Sequence, residues 1–163
     1  MEAEIRALVA DLKLAGVSFT GVASRNEIGR YYDRADIFIN ASCVDNMPVS
    51  LLEAFASGTP VVSTAPEGIR YLVEDGRTGL LSQPGDAQAL AANVIRLLNE
   101  PELASRLIAN AFEQSKQYHW DAVREQWLAV YRSMVGGAVR PARNSPDPVA
   151  EPAELAESVN PNQ

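Results

Sequence analysis

Apolar residues recur along this chain with two alternating periods. From Glu2 to Leu14, Ile5, Leu8, Val9 and Leu12 fall three and four residues apart, and Gly16 follows as a stop, which predicts an amphipathic helix. VSFTG, residues 17–21, then reads as a short strand. Ser24 with Glu27 three residues on has the form of a capping box opening SRNEIGRYYDRA, and DIFIN, Asp36 to Asn40, is nearly all apolar, as strands inside parallel sheets are. Pro48 to Ser57 predicts another helix, TPVVS a strand, IRYLVEDG a short helix ending at Gly76, and TGLLS a fourth strand. The pattern is helical from there on: Asp86 to Asn99, then Pro101 to about Tyr118, then Trp120 to Met134 with Val123, Trp127, Val130 and Tyr131 on one stripe.

Strands separated by helices imply right-handed crossovers, so the fold class is α/β, a Rossmann-like parallel sheet with helices on both faces. Ligands of such sheets bind at the carboxyl ends of the strands. Those ends are GVASR, ASCVDNMP and TAPEG. Residues 1–135 form the predicted domain, with 163 residues and 47% apolar content enough for one core. Five of the ten prolines fall in residues 136–163, which reads as a disordered Pro-rich tail. No internal repeat is present.

Charge and cysteine content narrow the class. Fourteen basic against twenty-one acidic residues leave a net charge of −7, which excludes a broad electrostatic grip on nucleic acid or an acidic membrane. An anionic ligand has to be held locally. The single Cys43 allows no intramolecular disulfide and no cysteine cluster for zinc. With no membrane-length apolar run and no signal-like start in MEAEIRALVADLK, the chain reads as cytoplasmic.

The chemistry concentrates in DNMPVSLLE, Asp45 to Glu53. If Pro48 stands near the first helical position, the N–H groups of Val49, Ser50 and Leu51 point out of the helix start with the positive dipole end behind them, a geometry that suits a phosphate. Glu53 lies roughly 7 to 8 Å along the axis from Pro48 at about 1.5 Å per residue, and Asp45 lies in the loop on the other side. A diphosphate at this mouth has an acid on either flank. Each acid is an acceptor for sugar hydroxyls, which a nucleotide sugar displays on both sides of its diphosphate. The plainer alternatives are a dipole-stabilised loop acid for Asp45 and a surface or arginine-paired acid for Glu53. His119 reads as a capping or packing residue, and Cys43 as a small buried one with no histidine placed to activate it.

The run ADIFINAS, DNMPVSLLEAFASGTPVVST, EGIRYLVEDGRTGLLSQPGDAQALAANVIRLL and the closing HWDAVREQWLAVYRSM resembles the C-terminal, donor-binding domain of family 4 glycosyltransferases of the GT-B fold, over about Ala3 to Met134. The resemblance implies a retaining transferase that takes its sugar from a nucleotide sugar and needs no metal. It assigns the catalytic acids to Asp45 and Glu53: Asp45 is the first family acid, facing the donor sugar, and Glu53 the second, holding the ribose hydroxyls. It puts backbone groups of Val49, Ser50 and Leu51 on the diphosphate, with Val22 and Ala23 near the base. Asp45 shortens the commoner glutamate by one methylene, NMPV stands where the family has a glycine-rich stretch, and Glu67 and Gly68 stand where it has a glycine pair.

The resemblance also implies an N-terminal acceptor-binding domain as partner, and opening strands bearing an arginine and a lysine for the diphosphate. Neither is encoded here, and Lys13 and Lys116, the only lysines, sit at no strand end. The expectation is a fragment of a longer enzyme, inactive alone and prone to self-association through an open sheet edge. A nucleotide-binding module without turnover and a structural remnant are the alternatives.

Overall fold

The computed structural model describes residues 2–134. It divides into two compact units at Arg124. The first carries α1 (Glu2–Asp11), α2 (Arg25–Asp33), β1 (Phe38–Asn40), α3 (Val49–Ala56), β2 (Val61–Thr64), α4 (Glu67–Arg70), β3 (Leu80–Ser82), α5 (Ala87–Asn99), α6 (Pro101–Ser115) and a 3-10 turn, Lys116–Tyr118. The last helix, α7 (Trp120–Met134), runs across the unit boundary, and beyond it the Trp127 and Tyr131 rings stack at 5.9 Å. The expected tail, 136–163, lies outside the described residues.

The three strands are parallel in the order β1-β2-β3, with Phe38 level with Val61 and Val62 level with Leu80. Strand β2 is central and all four of its residues are buried. Because successive side chains point to opposite faces, Val61 and Val62 enter different cores. Val61 joins Tyr32, Leu51, Ala54, Phe55 and Ile69 from α2, α3 and α4, and Leu72 from the turn after α4. Val62 joins Leu80, Leu97, Leu103 and Leu107 from β3, α5 and α6. The α/β arrangement with helices on both faces is therefore as expected. No helix among the described residues is long and apolar enough to cross a membrane.

The sequence signals for helix starts work by the physics assigned to them. The Glu27 carboxylate reaches back and accepts from both the N–H and the hydroxyl of Ser24, while the Glu27 N–H donates to the Ser24 carbonyl at 3.0 Å. Asp86 Oδ1 accepts from the Ala89 N–H at 2.9 Å and caps α5. Two expectations are corrected. Residues 17–21 form no strand: β1 pairs with β2 alone, and a strand requires a neighbouring ladder to satisfy its backbone. The segment packs instead against α1, with the Phe19 ring 4.0 Å from the Arg6 guanidinium. In IRYLVEDG the helix begins earlier, after Pro66, and ends at Arg70, because Leu72 and Val73 drop into the core. The turn after them is closed by Thr78 Oγ1, which accepts the Glu74 N–H, and by Gly76 at φ 70°.

Candidate functional site

The loop from Ala41 to Pro48, between β1 and α3, is held from below by the strand ends. Thr64, the last residue of β2, donates through Oγ1 to the Ser42 carbonyl at 2.7 Å. Asn40 donates to Ser63 Oγ at 3.3 Å and accepts from the Ser42 hydroxyl at 2.9 Å. From the side it is held by α4. A β-carbon at Gly68 would fall on the backbone of Asp45 and Asn46, so only a glycine lets the start of α4 reach the acid-bearing loop. The departure noted at Glu67 and Gly68 thus keeps the glycine where contact is tightest.

Pro48 is the N-cap, with φ −67° and ψ 123°, and Val49 is the first helical residue, one position later than expected. The Leu51 N–H donates to the Pro48 carbonyl at 3.1 Å, and the Leu51 side chain is fully buried. The outward donors of the helix start are therefore those of Val49 and Ser50, which make no hydrogen bond among the described residues. Asp45 is half-buried on one side of this mouth, and no hydrogen bond or ion pair reaches its carboxylate among the described residues.

Glu53 is half-buried one turn into α3. Its partner is no arginine: the Tyr32 hydroxyl lies 3.0 Å from Glu53 Oε2 and 3.1 Å from the Ser50 carbonyl. Tyr32 is buried, its ring 5.9 Å from that of Phe38, and its carbonyl accepts from Thr59 Oγ1 at 3.2 Å. Burial first, and then the bond to Glu53 and its charge, push the phenol well above the usual tyrosine range, so it remains a protonated donor.

Val22 is fully exposed and borders a recess against α1 together with Ile5 and Phe19, while Ala23 is half-buried. Cys43 is exposed, not buried. His119 caps α7 through its backbone carbonyl, which accepts from Ala122 and Val123 at 3.0 Å. Among the described residues no group of three His, Cys, Asp or Glu side chains is placed to hold a metal ion.

Two residues were missed by sequence reasoning. Tyr32 had one signal, its place on the helical stripe four residues after Ile28. Arg70 had none: its Nε donates to the Ala65 carbonyl at 2.9 Å, which sets a cation at the carboxyl end of β2.

A family model described as glycosyl transferases group 1 matches residues 1–114. The amylovoran biosynthesis glycosyltransferase AmsK of Erwinia amylovora is 42% identical over 104 residues, which are 60% of this chain and 26% of that protein. Among solved structures, sucrose-phosphate synthase from Thermosynechococcus elongatus superposes with a TM-score of 0.76 at 31% identity, over 83% of this chain and 35% of that one. Anabaena HepE in complex with UDP-glucose superposes with a TM-score of 0.72 at 25% identity, over 81% of this chain and 36% of that one. The chain thus spans between 26% and 36% of the lengths of these three proteins. With a parallel α/β sheet, an acid-flanked helix start and a family match over most of its length, the chain belongs to the group 1 glycosyltransferases and has part of their GT-B fold.

Proposed function

We propose that this chain is the donor-binding part of a retaining glycosyltransferase that moves a sugar from a nucleotide diphosphate sugar to an acceptor hydroxyl. The observation that carries this reading is the pair of half-buried acids, Asp45 and Glu53, on either side of a helix start whose first two N–H groups are free. The diphosphate sits at the Val49 and Ser50 donors, with the buried turn of Leu51 behind them and the α3 dipole aligned. Glu53 accepts from the ribose hydroxyls and Asp45 from the donor sugar, with Val22 and Ala23 on the side of the base. HepE, seen with UDP-glucose, supports a nucleotide-sugar ligand.

In the transfer the bond between the anomeric carbon and the diphosphate oxygen breaks, the acceptor oxygen bonds to that carbon on the same face, and the acceptor's hydroxyl proton passes to the departing diphosphate. Negative charge grows on the leaving diphosphate, where fixed backbone donors are most effective. The reading asks for no metal. It places the acceptor on a separate N-terminal domain, so the chain alone binds donor without transferring sugar, in the cytoplasm.

The test is an NMR-detected titration with a panel of nucleotide sugars, UDP-glucose first, alongside a turnover assay. Saturable binding with shifts at Asp45 to Glu53 and no turnover is the expected result. No binding by any member of the panel would return the chain to a structural role.

A further inference from the structure

The Tyr32 hydroxyl is held where it meets one oxygen of Glu53 and leaves the other bare. Its ring is packed on Phe38, its backbone carbonyl is tied to Thr59, and its hydroxyl spans from α2 to the first turns of α3. A phenol has one proton to give. Of its two acceptors the Glu53 carboxylate is the ionised one and takes the stronger bond.

A glutamate on a helix surface samples many rotamers, and a ligand that needs one of them must order it on binding. Here the ordering is done beforehand. Glu53 Oε2 faces Tyr32 at 3.0 Å, and Oε1 has no partner among the described residues. That leaves Oε1, and the second lone pair of Oε2, to accept from further donors. Two neighbouring hydroxyls of a ribose are such donors.

We propose that Tyr32 is a positioning residue for ribose recognition: it locks the Glu53 carboxylate in the rotamer that accepts the vicinal ribose hydroxyls. This rests on the ribose role of Glu53 proposed above. Tyr32 touches no ligand itself. Its buried phenol stays protonated at neutral pH, so the lock holds over the physiological range.

The experiment compares UDP with 2′,3′-dideoxyuridine diphosphate on the full chain, as wild type, Tyr32→Phe, Glu53→Gln and the double variant. Denaturant unfolding establishes that each is folded. Phenylalanine keeps the ring against Phe38, and Glu53→Gln, which alters no core side chain, provides a second variant on the same contact. Wild type should prefer UDP, and Tyr32→Phe should weaken UDP by roughly three- to tenfold while leaving the dideoxy ligand unchanged. In the Glu53→Gln background, Tyr32→Phe should cost much less. Equal losses for both ligands in Tyr32→Phe, or none for UDP, with wild type still preferring UDP, would overturn the role of Tyr32 alone. A wild type that binds both ligands equally, or neither, would overturn the ribose role of Glu53 and this inference with it.

Discussion

The backbone of Asn46 occupies the space that a side chain at position 68 would need. Gly68 is not at a positive φ, so the requirement is steric and not conformational. The loop that carries Asp45 is thereby fixed by a helix whose Gly68 lies 22 residues after Asn46 in sequence, roughly as a key is held in a slot. Gly68→Ala should cost about 1 to 3 kcal/mol, as overpacked sites do, and should also weaken UDP-glucose by moving Asp45. Urea unfolding and a ligand titration read the two effects. Full affinity in a folded Gly68→Ala protein would show that the loop position does not matter.

Thr64 holds the same loop from below. In Thr64→Val the shape is kept, but the Ser42 carbonyl loses its 2.7 Å donor. A loss of about 0.5 to 1.5 kcal/mol in unfolding free energy is expected, the range for a single hydrogen bond. Hydrogen exchange of residues 41–48 should quicken in the variant, and unchanged exchange would place the anchor elsewhere.

The packed elements were legible from periodicity because burial on one face imposes it, as the stripe of α5 and the apolar runs of β1 and β2 do. The capping residue Ser24 was legible because its partner Glu27 lies three residues away. Residues 17–21 were misread because a strand is a property of a pair, and apolar alternation says nothing about whether a neighbour is there. At the site, the two acids stood out by their spacing around a helix start. Their supports did not: Tyr32 reaches Glu53 across 21 positions, and Gly68 meets Asn46 only once the chain has passed through α3 and β2 to α4. The shift of the N-cap to Pro48 was one residue, yet it decided which N–H groups are free.

The raised pKa of Tyr32 gives a pH dependence with a definite sign. The unfolded chain releases this proton near the ordinary tyrosine value of about 10, while the folded chain holds it to higher pH. Between the two values the folded state binds more protons, so stability is intact below about pH 10 and falls as pH rises towards the folded value. Unfolding curves from pH 8 to 11 should show this fall in wild type and a smaller one in Tyr32→Phe. In an ultraviolet titration of the native protein, one of the five tyrosines should lag behind the rest, and five equal titrations near pH 10 would contradict the buried bond to Glu53.

The central claim is that the two acids divide a nucleotide sugar between them, and it is tested by titrating wild type, Glu53→Gln and Asp45→Asn with UDP-glucose and with UDP. Glu53→Gln should weaken both ligands by about five- to a hundredfold, the worth of hydrogen bonds to a charged group. Asp45→Asn should weaken UDP-glucose and leave UDP nearly unchanged. Equal losses for both ligands on changing Asp45, or no loss for either on changing Glu53, would contradict it.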